Sequence, residues 1–428
     1  MTTQPTPSVA IETLGCKLNQ ADSLALAREF QALGYRLADA GESADVFVLN
    51  TCTVTHIADR KARRMLRTAR RANPDATIVA TGCYAQRSPA DLRKLTEVDI
   101  VAGNVDKPTL ARSIVLRRED SLVPCAVGDD ATLTRPATLR TRAMVKIQEG
   151  CDQVCTYCIV PKVRGRERSI SPDTLLAQVQ GYAAEGYKEA VLTGTQLGSY
   201  GFDLGDIDLA DLVARILDET DIARLRLSSL QPQEMTDELL RLWDNPRLCP
   251  HFHMPLQSGS DAVLRQMRRR YTAREYAGSV AKIRRAVPDA SVTTDAICGF
   301  PGETDAMFEE TLSLCREVGF ADLHVFPYSK RPGTSAAYFD GHIGAAVKSG
   351  RVTKLMALAA EQSAAFRDGL VGAVRPVLWE NSRIVGEAHG LTDNYVRVAC
   401  ETPMELRNRI TQTRLVGRRG DAMVGELA

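Results

Sequence analysis

The chain has 428 residues, enough for two to four domains with buried cores. Its hydrophobic fraction of 44% and charged fraction of 25% are those of an ordinary globular chain, and 54 basic against 53 acidic residues leave a net charge of only +1. Overall charge therefore gives no case for a polyanionic partner, and any such case has to come from local clustering.

In chain order, residues 9–14, 45–49, 76–80 and 99–102 read as short β-rich runs. Between them residues 19–33, 56–72 and 88–95 carry apolar positions at helical spacing. This βαβ succession predicts a small parallel sheet covered by helices. Residues 106–142, with mixed charges, Pro124 and Pro136, read as a connector. A longer β/α succession follows, with strands at 143–147, 189–192, 224–227, 251–254, 291–297 and 321–326 and helices such as 173–185 and 304–318. Six repeats predict an open (β/α)6 barrel with its chemistry at the strand C-termini. A helix at 345–367 then gives way to strand-like runs at 374–380, 384–387, 395–398 and 412–416, which predict a small all-β barrel. The fold class is α/β in three units: residues 7–118, 137–370 and 371–428. The polar start, residues 1–10, lacks a signal peptide's apolar segment, and no apolar run approaches the roughly 18 residues of a membrane span. A cytoplasmic location and no membrane partner are expected.

Eleven cysteines in such a chain read as candidate metal ligands rather than a disulfide framework. Cys125, Cys249, Cys298, Cys315 and Cys400 stand alone and read as small buried apolar residues. Cys151, Cys155 and Cys158 lie within eight residues, in Glu-Gly-Cys-Asp-Gln-Val-Cys-Thr-Tyr-Cys. Three thiolates so spaced can hold three corners of a [4Fe–4S] cube and leave one iron open to a ligand. Zinc is the alternative, but it wants four ligands, and neither His nor a fourth Cys follows nearby. Cys16, Cys52 and Cys83 each follow a predicted strand, in Thr-Leu-Gly-Cys, Leu-Asn-Thr-Cys and Ala-Thr-Gly-Cys. Each alone reads as a core cysteine, whereas the repeated setting at one sheet edge reads as a second cluster site.

Cys151-x3-Cys155-x2-Cys158, with Tyr157 before the last cysteine, resembles the signature of radical S-adenosylmethionine (SAM) enzymes, in which SAM chelates the open iron and is cleaved to a 5′-deoxyadenosyl radical. From about residue 8 to the end the chain resembles the methylthiotransferases, which add an N-terminal three-cysteine domain and a C-terminal, oligonucleotide-binding-like TRAM domain. Leu14-Gly-Cys-Lys-Leu-Asn-Gln, Asn50-Thr-Cys-Thr-Val-Thr with Ala58-Asp-Arg-Lys, Arg164-Gly-Arg-Glu-Arg-Ser and His324-Val-Phe-Pro-Tyr-Ser resemble the MtaB branch. That resemblance implies methylthiolation at C2 of N6-threonylcarbamoyladenosine in tRNA. It implies two [4Fe–4S] clusters, an auxiliary one on Cys16, Cys52 and Cys83 and a SAM-binding one on Cys151, Cys155 and Cys158. One SAM would methylate the sulfur and another would activate adenine C2. An electron donor of the flavodoxin or ferredoxin kind is implied. For SAM, Tyr157 is a candidate contact, as are Gly194, Gln196, Ser228, Gln257 and Gly299 at strand ends. Pro301-Gly-Glu-Thr follows the family's adenine-binding pattern only loosely.

Residues 56–72 set Arg60, Arg63, Arg64, Arg67, Arg70 and Arg71 against Ala58, Ala62, Met65, Leu66 and Ala69. One face of such a helix can be buried while the other shows guanidinium groups suited to phosphates, so Arg60, Arg63, Arg64, Arg67 and Arg71 are candidate contacts to the tRNA anticodon loop. Arg164, Arg166, Arg168 and residues 268–270 are weaker versions of the same pattern. The terminal barrel, with Tyr395, fits loop-RNA recognition, although its eight Arg against seven acidic residues are near balance. The target base would have to turn out of its stack. The rivals are methylthiolation of isopentenyladenosine in tRNA or of a ribosomal-protein aspartate, and a non-catalytic RNA-binding iron–sulfur protein.

Overall fold

A computed structural model describes residues 6–39, 41–119, 141–382 and 384–428. The backbone forms two compact units. One holds the described residues up to 119 with 150–152 and 158–166; the other holds 141–149, 153–157 and 167–428.

The first unit contains β1 (Ser8–Thr13), α1 (Lys17–Ala32), β2 (Arg36–Leu37), β3 (Val46–Thr51), α2 (His56–Ala72), β4 (Thr77–Gly82), α3 (Cys83–Arg87), α4 (Pro89–Arg93), β5 (Ile100–Ala102), α5 (Lys107–Glu119) and α6 (Val160–Arg164). Its sheet runs β2-β1-β3-β4-β5 and is parallel throughout. Alternation along β3 sends Val46 and Val48 to a core with Val9, Leu26 and Phe30, and Phe47 and Leu49 to one with Ala62, Leu66 and Tyr84. Burying both faces is what a parallel sheet requires. The connector read at 106–142 is corrected at its start, because Lys107–Glu119 is a helix that buries Leu110, Ala111 and Ile114. Pro124, Pro136 and Cys125 lie outside the described residues.

The second unit begins with β6 (Arg142–Lys146), β7 (Gln148–Glu149), β8 (Arg168–Ser169), α7 (Pro172–Ala184), β9 (Glu189–Thr193), α8 (Leu209–Glu219), β10 (Arg224–Leu227), α9 (Asp237–Arg241) and β11 (His251–His253). It continues through α10 (Asp261–Gln266), α11 (Ala273–Ala286), β12 (Ser291–Cys298), α12 (Asp305–Val318), β13 (Asp322–Pro327) and α13 (Ala345–Asp368). Two three-stranded parallel sheets, β10-β9-β6 and β11-β12-β13, are joined by the bridges Leu225–Leu248 and Ser229–His253. The result is the expected open run of six strands.

β14 (Val374–Trp379), β15 (Glu387–Thr392), β16 (Arg397–Glu401), β17 (Ile410–Arg419) and β18 (Ala422–Leu427) close a barrel in the order β14-β15-β16-β18-β17. The run at 384–387 is corrected, since the strand starts at Glu387 and carries His389 and Gly390 within it. Tyr395 is corrected as well. Its ring stacks on His251 at 4.4 Å and lies under the Arg226 guanidinium at 5.0 Å, so it docks the barrel on the βα strands. Arg224 donates to the carbonyls of Leu391 and Thr392, and Arg226 to that of Asp393. Burial would raise the Glu189 carboxyl, but Arg226, Arg224 and Arg142 outweigh it and hold it at about 2.

Candidate cofactor site

In the first unit, Cys16 follows β1, Cys52 follows β3 and Cys83 follows β4, three neighbouring strands whose register pairs Thr13 with Asn50 and Thr51 with Gly82. The thiols arrive together because the turns before them are pinned. Asn19 Nδ2 donates to the carbonyls of Leu14 and Thr51 at 2.7 and 3.1 Å, and Asn50 Nδ2 donates to Asn19 O at 2.8 Å. Thr51 Oγ1 donates to Thr81 O at 2.5 Å and accepts from the backbone N–H of Tyr84 at 3.2 Å, which caps α3 with Cys83 at its head. Gly82, at φ 95°, passes so close to Asn50 and Thr51 that a Cβ there would stand 2.5 Å from the Thr51 carbonyl oxygen. Cys52 and Cys83 are buried and Cys16 is exposed. Burial pushes the Cys52 thiol up to about 12, and Cys16 and Cys83 add to the rise, a sign that the three sulfurs share one neighbourhood. Val54 N–H lies 3.5 Å from Cys52 Sγ and Asn104 Nδ2 lies 3.6 Å from Cys83 Sγ. Three thiols at adjacent strand ends, with N–H donors aimed at two of them, suit an iron–sulfur cluster.

The second cysteine run begins at Gly150, φ 81°, where a Cβ would collide with the Arg166 carbonyl. Cys151 N–H donates to Gly165 O at 3.1 Å. In the second unit, Arg269 Nη1 lies 3.6 Å from Cys155 Sγ, and Tyr157 packs against Val263, Met267 and Phe300. At the strand ends, Gln148 Oε1 accepts from Thr195 and Gln196 N–H at 2.9 and 3.0 Å and fills the space beside Gly194. Gln196 is committed to a chain of donors. Arg269 Nη2 donates to Gln231 at 3.0 Å, Gln231 to Gln196 at 2.5 Å, and Gln196 to Glu234. Burial raises the Glu234 carboxyl to about 7. The hydroxyls of Thr195 and Ser228 are buried with no hydrogen-bond partner among the described residues, which suits a polar ligand. Gln257, at φ 66°, bridges to Ala296. Gly299 turns toward α13, where a Cβ would strike the Lys348 side chain.

On α2, Arg60, Arg64, Arg67 and Arg71 are exposed, with Arg67 3.6 Å from Glu97. Arg63 instead donates to Tyr84 Oη at 2.7 Å, and Arg70 pairs with Asp99 at 2.5 Å. The weaker RNA reading of Arg164 is corrected: it is buried and donates to Asn19 at 2.5 Å and Asp22 at 3.1 Å. Arg269, held at Cys155 and Gln231, is likewise turned inward. Sequence reasoning missed the roles of Glu234, Gln231 and Asn104, which stand in unremarkable local contexts, and of Asn19, whose part in pinning the Cys16 and Cys52 turns shows only in the fold.

Residues 8–103 match the uncharacterized protein family UPF0004, and residues 145–315 match the radical SAM superfamily. The threonylcarbamoyladenosine tRNA methylthiotransferase MtaB of Bacillus subtilis is 38% identical over 424 residues, 96% of this chain and 94% of that one. The tRNA-2-methylthio-N(6)-dimethylallyladenosine synthase of Syntrophobacter fumaroxidans is 36% identical over 441 residues, covering 99% and 97%. The radical SAM methyltransferase TsrM of Kitasatospora setae, solved with cobalamin and a [4Fe-4S] cluster, superposes with a TM-score of 0.55 at 14% identity over 77% of each chain, a likeness of fold. The full-length identity, with six cysteines at the strand ends and in the radical SAM run, shows that the chain belongs to the radical SAM methylthiotransferase family.

Proposed function

We propose that the protein methylthiolates C2 of N6-threonylcarbamoyladenosine-37 in tRNA, using SAM and two [4Fe–4S] clusters. The observation that carries this reading is the arrival of Cys16, Cys52 and Cys83 at three adjacent strand ends, in a chain 38% identical to MtaB. When bound, the clusters and SAM supply the sulfur and the one-electron chemistry that an unactivated C2–H demands.

The protein's own residues bind and orient. Cys16, Cys52 and Cys83 would hold the auxiliary cluster, and Cys151, Cys155 and Cys158 the SAM cluster. Cys52 has to release a proton that burial retains to about 12, so loading releases protons and is favoured at higher pH. Arg269 sets a fixed positive charge beside Cys155. Tyr157, Gln196, Ser228 and Gln257 would contact SAM at the strand ends, with Gly194 and Gly299 shaping the turns. Exposed Arg60, Arg64, Arg67 and Arg71 would meet tRNA phosphates. A flavodoxin- or ferredoxin-type electron donor and a cytoplasmic location complete the reading. Residues 7–118, 137–370 and 371–428 divide it into sulfur-donating, SAM-cleaving and RNA-docking parts. Among the described residues no helix is long and apolar enough to cross a membrane.

Nucleoside mass spectrometry of tRNA, after incubation with reconstituted protein, SAM, reductant and sulfide, tests it. 2-Methylthio-N6-threonylcarbamoyladenosine is the expected product. A methylthio group on dimethylallyladenosine, or on a ribosomal protein instead, would move the chain to another branch. No methylthio product from fully loaded protein would leave a non-catalytic cluster carrier.

A further inference from the structure

We propose that His253, Asp295 and His324 form a binding site for one divalent transition-metal cation, built without any cysteine. The three residues lie on consecutive strands β11, β12 and β13, and the register places His253 beside Thr293 and Asp295 beside His324. Alternation along β12 puts Thr293 and Asp295 on one face. Thr294 points the other way, where Tyr276 of α11 reaches its hydroxyl.

The donor atoms converge. His253 Nε2 is 3.3 Å from Asp295 Oδ2, His324 Nδ1 is 3.2 Å from Asp295 Oδ1, and the three residues offer ligand atoms all within 4.8 Å of one another. Metal–ligand bonds of about 2.0–2.1 Å in a tetrahedron set neighbouring donors about 3.3 Å apart. The far nitrogen of His253 also meets an oxygen, with Nδ1 2.9 Å from Thr293 Oγ1, whereas His324 Nε2 stands 3.6 Å from Asp322 Oδ2, beyond hydrogen-bond reach. Outer oxygens of this kind fix the tautomer and the ring orientation of metal-ligating histidines. Two imidazoles and a carboxylate suit a borderline cation such as zinc or iron(II), unlike the all-thiolate cluster sites. Three protein donors leave a coordination position open to a small ligand or water.

The test titrates zinc into the protein with its clusters loaded, following heat and the zinc-edge X-ray absorption spectrum. One zinc per chain is expected, with a nitrogen and oxygen shell showing imidazole scattering. His324→Ala, at a half-exposed position, and Asp295→Asn should each weaken binding on the order of a hundredfold, and Thr293→Val about tenfold. Iron, sulfide and circular dichroism report that each variant is folded. Should Asp295→Asn fail to fold, His324→Ala decides. Zinc affinity equal in wild type and His324→Ala, a sulfur shell around the bound zinc, or no binding by wild type overturns the site and leaves a hydrogen-bonded His–Asp–His cluster.

Discussion

Gly15 faces Cys52 so closely that a Cβ on the glycine would stand 2.7 Å from Cys52 Cβ and 3.0 Å from its sulfur. Gly15 also sits at φ 102°, a conformation that side chains resist. Gly15→Ala should therefore displace Cys16 from Cys52 and cost the auxiliary cluster while sparing the other. Iron should fall from about eight to about four per chain. Unchanged iron and sulfide in the folded variant would contradict this.

Arg164 and Asp22 form an ion pair with side chains only 2% exposed, joined by Lys107 at 2.7 Å. Arg164→Ala leaves Asp22 with Lys107 alone and strips Asn19 Oδ1 of this donor, so the variant should lose about 1–3 kcal/mol. Arg166 pairs with Asp152 but is 87% exposed, and its alanine variant should lose under about 1 kcal/mol. Denaturant midpoints of the two variants make the comparison.

Glu234, raised by burial to about 7 from an ordinary 4.5, gives a pH signature. Below pH 4.5 the carboxyl is neutral whether the chain is folded or not, and its contribution is fully present. As pH climbs toward 7 the unfolded chain ionises first, and stability is lost, by up to about 3 kcal/mol. Glu234→Gln should remove that decline. Unfolding free energies of both proteins from pH 5 to 8 should diverge and then run parallel; parallel curves throughout would show an ordinary carboxylate.

The exposed arginines of α2 should act through charge. Arg60→Gln, Arg64→Gln and Arg71→Gln together should weaken tRNA binding at least tenfold and flatten its salt dependence by about two to three charges. Arg63 and Arg70, held by Tyr84 and Asp99, should matter less for the slope. Anisotropy titrations of labelled tRNA across salt concentrations separate the two sets.

Regular periodicity made α2 legible to the residue, and short apolar runs located the six strands of the open β/α run. α3 has five residues, too few to show a period, and α5 buries a narrow apolar stripe among charges. β15 hid because His389 and Gly390 look like turn residues. The cysteines could be read because their settings repeat. Glu234, Arg269 and the His253–Asp295–His324 group could not, since side chains from separate strands and loops meet only when strand order and register are known. Arginine patterns proved the least specific: Arg164 and Arg269 are as basic as Arg60, and only burial tells them apart.

The guanidinium groups of Arg224 and Arg226 end on backbone carbonyls of Leu391, Thr392 and Asp393. A truncation that stops before β14, the usual way to ask what a terminal module does, would strip those oxygens away and uncover two cations at the floor of the β/α half. Loss of activity in such a fragment would report a broken foundation as readily as a missing RNA contact. Point changes on the barrel's outer surface are the cleaner instrument.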